Sequence, residues 1–138
     1  MSLTETQYTR ALCRELEKCG CMCYPLIGGT LGKAGWPDRL IWHKHFAVLI
    51  EFKNAAKTSR LSALQEQVCR ALALRKGVGH DVFVIRQAPT ATVSELRGSL
   101  WRCRPVLSGD RYAMYQEHVN TFMTANGLIE LLREELST

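Results

Sequence analysis

The chain has 138 residues, enough to bury a real core in one domain without disulfide help. Apolar residues make up 46% and charged residues 22%, which excludes a disordered, collagen-like or low-complexity chain. A formal net charge of +5 suits a polyanionic partner, and no apolar run approaches the roughly 20 residues that span a bilayer.

Thr4 reads as the N-cap of a first helix running to about Lys18, with Tyr8, Leu12 and Leu16 on one face and Gly20 ending it. CMCYPLI is a short strand, and the glycine-rich GGTLGKAG (28–35) is a loop. It lacks the ending of a P-loop, so Lys33 is expected to touch a nucleic-acid backbone rather than cradle a nucleotide. RLIWH (39–43) and FAVLIEFK (46–53) form a hairpin with His43, Lys44 and His45 at its tip. Trp36 is expected to pack beneath this hairpin. A second helix is predicted over about 61–76, with Leu61, Leu64, Val68 and Leu72 along one side. DVFVIR (81–86) has the continuous apolar run of a central strand covered on both faces.

Thr92 and Glu95 have capping-box spacing and predict a short helix over 92–99. LWRCRPV reads as an edge strand in which Trp101 and Cys103 alternate with Arg102 and Arg104, and SGDR (108–111) as a turn. Helical pattern runs from about Met114 to Leu136, interrupted near Asn126-Gly127. Its apolar stripe is expected to serve as core or dimer surface. The order is that of an α/β fold, a mixed sheet with helices packed on it.

The polar N-terminus MSLTETQYTR has no secretory signal, so the expectation is a cytoplasmic protein of a bacterial or phage-infected cell. The six cysteines show neither paired CxxC units nor histidines at ligand spacing, and read as small buried hydrophobes rather than a zinc site.

The chemistry concentrates in GWPDRLIWHKHFAVLIEFKN. Side chains alternate along a strand, so Ile50 and Phe52 enter the core while Glu51 and Lys53 share the other face. Charges on so apolar a strand are costly unless paired or bound to an ion. Asp38 opens the partner strand, and the turn falls about midway between it and Glu51, so the hairpin can bring the two carboxylates together. Two ionised carboxylates repel unless a cation lies between them. Magnesium fits, because it takes oxygen ligands from one or two carboxylates plus phosphate and water, and manganese is expected to substitute. Asp38, Glu51 and Lys53 thus predict hydrolysis of a phosphodiester, with Lys53 orienting water or stabilising developing charge. Lys57 and Arg60 come soon after the active strand and are predicted phosphate contacts.

Pro37-Asp38 before a hairpin and Glu51-Phe52-Lys53 on the next strand resemble the PD-(D/E)XK nuclease superfamily. With Glu5 on the first helix, Gly35-Trp36-Pro37-Asp38, and Gln65 in LSALQ, the pattern looks like the virus-type replication-repair nuclease (VRR-NUC) group. The resemblance covers about residues 4–87. It implies a restriction-endonuclease-like core, a further metal or water ligand at Glu5 (with Glu15 as the rival helical acid), and a Gln65 that orients substrate phosphate or Lys53. It also implies a homodimeric endonuclease of branched DNA such as a four-way junction. The alternatives are a flap or restriction-like nuclease, or a non-catalytic DNA-binding module with a nuclease fold. The whole chain reads as one domain, a core of about 4–99 with a partly helical extension of about 100–138.

Overall fold

A computed structural model describes residues 3–26, 37–54, 61–73, 81–109 and 111–137 of the chain. Helix α1 (Glu5–Lys18) starts at a reciprocal cap. The Gln7 N–H donates to Thr4 Oγ1 (3.2 Å), and the Thr4 N–H donates to Gln7 Oε1 (3.0 Å). After the helix, Gly20 takes a φ of +96°, a left-handed conformation that glycine adopts without Cβ strain.

The remaining elements run in chain order as β1 (Met22–Pro25), β2 (Arg39–His43), β3 (Phe46–Asn54), α2 (Ala63–Ala73), β4 (Val82–Gln87), β5 (Gly98–Ser108), β6 (Arg111–Phe122) and α3 (Ala125–Leu136). The strands form one six-stranded sheet in the order β1-β2-β3-β4-β5-β6. All neighbouring pairs are antiparallel except β3 and β4, which run parallel and are joined through α2. This is a mixed sheet with helices on both faces, the architecture expected from the element order.

Strand alternation splits the apolar residues between the two faces. Ile41, Val48, Ile50, Phe52, Phe83, Ile85, Leu100 and Phe122 meet Tyr8, Leu12 and Leu16 of α1 and Leu128, Ile129 and Leu132 of α3. On the other face Leu49, Val82, Val84 and Cys103 lie with Leu61 and Cys69 in a smaller cluster. Cys13, Cys21, Cys69 and Cys103 are buried free thiols, as small hydrophobes would be. Among the described residues no helix is long and apolar enough to cross a membrane.

Five expectations are corrected. Over 92–99 no helix forms; Thr92 and Glu95 bond each other reciprocally, backbone to backbone in both directions, and so close a turn. The chain is then drawn into the sheet, where Arg97 O accepts from the Ala88 N–H (3.0 Å) and β5 begins at Gly98. LWRCRPV is not at an edge: β5 lies between β4 and β6. The helix read from Met114 is strand β6 as far as Phe122, and only Ala125–Leu136 is helical. A register shift against β5 leaves Val119 without a strand partner, which breaks the two-residue alternation and imitates helical spacing. Gly127 does not interrupt α3; its N–H donates to the Thr124 cap (3.0 Å) at the start of the helix. In α2 Cys69 is buried against the sheet and Leu72 packs on the same cluster, while Leu64 is 46% exposed.

Candidate active site

Pro37 lacks an N–H, and β2 begins only at Arg39, whose partner on β3 is Ile50. Beyond that point β3 has no β2 backbone to bond. Asp38 fills the gap with its side chain, since the Phe52 N–H donates to Asp38 Oδ2 (3.0 Å). The bond fixes the Asp38 carboxylate against β3 beside Glu51. The main-chain oxygen of Asp38 accepts from Leu26 (2.8 Å) and so carries the β1–β2 pairing to the same end of the sheet.

Glu51 is 3% exposed on the α2 face of β3. Its Oε2 accepts from Gln65 Nε2 at 2.7 Å and lies 3.3 Å from Lys53 Nζ. Lys53 also donates to Gln65 Oε1 (3.3 Å), so the three side chains close a triangle. Gln65 is held by α2 itself. The Ser62 N–H donates to Gln65 Oε1 (2.9 Å), and the Gln65 N–H donates to Ser62 Oγ (3.1 Å). That is the capping box of Thr4 and Gln7 repeated, with a second use. Two donors converge on the Gln65 amide oxygen, which leaves its NH₂ group directed at Glu51. The spacing Ser62-x-x-Gln65 was visible in the sequence, but its link to Glu51 was not.

Burial raises Glu51 above the usual carboxylate range to about 7, and the Asp38 charge adds to the rise, while Lys53 opposes it. Among the described residues Glu51 Oε1 has no hydrogen-bond partner. A buried carboxylate oxygen left bare beside a second carboxylate fits a hard cation. No group of three or more His, Cys, Asp or Glu gathers as a cage among the described residues. The donor set is therefore the pair Asp38 and Glu51, which suits an ion completing its shell with substrate and water.

Glu5 is exposed in the first turn of α1, where its main-chain oxygen accepts from the Thr9 hydroxyl (2.9 Å). Glu15 pairs with Lys18 (3.3 Å) on the exposed side of the same helix. Lys33, Trp36, Lys57 and Arg60 lie outside the described residues. His43, Lys44 and His45 occupy the hairpin turn, with the His43 ring stacked on Phe46 at 4.9 Å.

The fold has a solved counterpart. It resembles the Holliday junction resolvase Hjc of Archaeoglobus fulgidus, with a TM-score of 0.54 and 19% identity over 81% of this chain and 88% of that one. No protein-family model and no curated protein matches the sequence. The likeness therefore concerns the fold, an α/β sheet of the resolvase kind, and the chemistry has to be argued from the residues.

Proposed function

We propose that the chain is a divalent-metal-dependent endodeoxyribonuclease of the PD-(D/E)XK kind, VRR-NUC-like in its motifs, which cuts branched DNA. The observation that carries this is the bare Oε1 of buried Glu51, set beside Asp38 and linked through Oε2 to Lys53 and Gln65. Buried acceptors are usually satisfied, so an open one beside a second carboxylate favours a cation there. Asp38 and Glu51 would hold magnesium or manganese. When bound, such a cation supplies charge neutralisation at phosphate and a more acidic water.

The remaining steps belong to the chain. Glu51 must ionise to bind a cation, and Lys53 and Gln65 favour its charged form by bonding Oε2. Lys53, anchored on two acceptors, stands ready to orient the attacking water or meet the charge that develops on the phosphoryl oxygens. Gln65 keeps both in register through its tie to Ser62. Hydrolysis adds water across one phosphorus–oxygen ester bond and leaves a phosphate monoester and a hydroxyl end. The fold likeness to a junction resolvase supports branched DNA as substrate. A four-way junction has two-fold symmetry and needs two matched cuts, which supports a homodimer.

The test uses labelled four-way junction, flap and linear duplex DNA with magnesium, with manganese and with chelator, beside Lys53→Ala. Metal-dependent cutting of the junction, lowered at least about 100-fold by Lys53→Ala, is expected. Binding without cutting of any substrate would leave only a non-catalytic module. Equal cutting of all three would remove the junction preference alone.

A further inference from the structure

The face of the sheet that carries Glu51 extends onto β1 and β2. Alternation places Ala47 and Leu49 of β3 on that face with Glu51 and Lys53. Residues paired across neighbouring strands share a face, so Trp42 and Met22 join Ala47 there, and Leu40 and Tyr24 join Leu49. Helix α2 packs over β4, β5 and β6. On β1 and β2 the same face leaves three large side chains in solvent: Trp42 is 53% exposed, Met22 51% and Tyr24 44%. The register sets Met22 directly opposite Trp42, with Tyr24 two residues along β1, so the three form one patch. The opposite face of the same strands buries Ile41, Val48 and Ile50. Contiguous aromatic surface held in water on paired strands marks a place where something apolar docks. None of Met22, Tyr24, Leu40, Trp42 and Ala47 bears a charge, so the patch suits a flat ring rather than a phosphate.

We propose that Trp42 and Tyr24 form a stacking platform for unpaired bases at the branch point of the DNA substrate. DNA as the ligand rests on the nuclease reading, while the stacking itself needs no cutting. At about half exposure, three side chains of roughly 200 Å² each offer about 300 Å². A stable dimer needs about 800 Å² from each partner, so the patch is too small to hold a second copy by itself. It is continuous with the carboxylate pair. Tyr24 lies two strands from β3, at the level of Leu49, which is two residues from Glu51. The platform is thus about 10 Å across the sheet and about 7 Å along it from Glu51. That is about three or four nucleotides of a duplex strand. A strand whose reacting phosphate lies over Glu51 and Lys53 therefore has its neighbouring bases within reach of the two rings. In linear duplex each base is covered on both faces by its neighbours and offers the rings nothing. At a branch an unstacked base exposes a π-face, and aromatic side chains take it whatever its sequence. The platform would thus select DNA shape without reading sequence.

The experiment measures binding of labelled four-way junction and linear duplex DNA in chelator, with folding of each variant checked by circular dichroism and thermal melting. Trp42→Ala is expected to weaken junction binding about tenfold and duplex binding less than about twofold, at an unchanged slope of log affinity against log salt because no charge is removed. Tyr24→Ala should act in the same direction, and Trp42→Phe, which keeps a ring, should restore most of the affinity. Junctions carrying 2-aminopurine at the branch point should be quenched more by the wild type than by Trp42→Ala. Equal weakening on junction and duplex, or wild-type junction affinity in folded Trp42→Ala and Tyr24→Ala, overturns the proposal, as does a wild type that binds no DNA. Loss of a dimer by Trp42→Ala in analytical ultracentrifugation, with 2-aminopurine quenching unchanged, overturns it in favour of a second copy on this face. Should Trp42→Ala not fold, Trp42→Leu replaces it, keeping apolar bulk without a ring, with the same loss of junction binding supporting the proposal and wild-type affinity overturning it. Trp42-dependent junction binding without cutting in magnesium would uphold the platform while removing the nuclease reading; metal-dependent cutting with an unchanged junction preference in Trp42→Ala would do the reverse.

Discussion

Glu51 combines burial with a carboxylate neighbour, and the two effects act in the same direction on its proton. Its folded pKa of about 7 lies above the ordinary value of 4.5, so the metal-free folded protein retains a proton that the unfolded chain has released. Its contribution to stability is therefore greatest below about pH 4.5 and is lost as pH rises towards 7, by up to about 3 kcal/mol. Denaturant melts of the metal-free protein between pH 4.5 and 7.5 should show this decline, and Glu51→Gln should flatten it. Added magnesium or manganese should raise the melting temperature more at pH 8 than at pH 5, because cation binding requires the ionised form. Gln65→Glu keeps the capping acceptor for the Ser62 N–H but sets a carboxylate against Glu51 in place of an amide donor. Cutting should fall about 10- to 100-fold with little loss of helix, as read by single-turnover assay and circular dichroism. Ser62→Ala should cost about 1 kcal/mol in urea unfolding through loss of the cap.

At the scale of elements, α1 meets the sheet at one close approach. The Tyr8 hydroxyl donates to Leu96 O (3.0 Å) in the buried layer where β5 begins. A Cβ at Gly98 would fall 2.5 Å from the Tyr8 oxygen and 3.0 Å from both Arg86 O and the Phe122 ring. Two of those neighbours belong to strands pinned on either side, so they cannot move aside together. Gly98→Ala should lower stability by about 1–3 kcal/mol in urea denaturation, by overpacking rather than by any change in the site. The hairpin was legible because its apolar runs and its turn all had the period of a strand. Strand β6 was not, because the unpartnered Val119 shifts Tyr115–His118 out of step with Thr121 and Phe122. A window scan reads that slip as helical periodicity.

Across the whole molecule, residues beyond about 100 belong to the same sheet and the same core as those before. Leu128, Ile129 and Leu132 of α3 join the cluster that holds Tyr8 and Leu12, and β5 and β6 complete the sheet beside β4. Leu132→Ala should therefore cost about 2–5 kcal/mol, a core loss read by denaturation, while cutting by the fraction still folded remains normal.

The sequence by itself determined the local and the chemical. Thr4 capped a helix, Gly20 ended it, the two-residue alternation of IEFK set Glu51 and Lys53 on one face, and Pro37-Asp38 marked where the partner strand begins. Only the tertiary structure decided how distant residues share work. The parallel β3–β4 register set Arg86 beside Lys53, the α2 crossover brought Gln65, held by Ser62, onto Glu51, and the placement of α1 left Glu5 exposed. The reason is physical: periodicity and capping are properties of a few consecutive residues, whereas strand order, register and the desolvation that shifts a proton depend on which segments pack together.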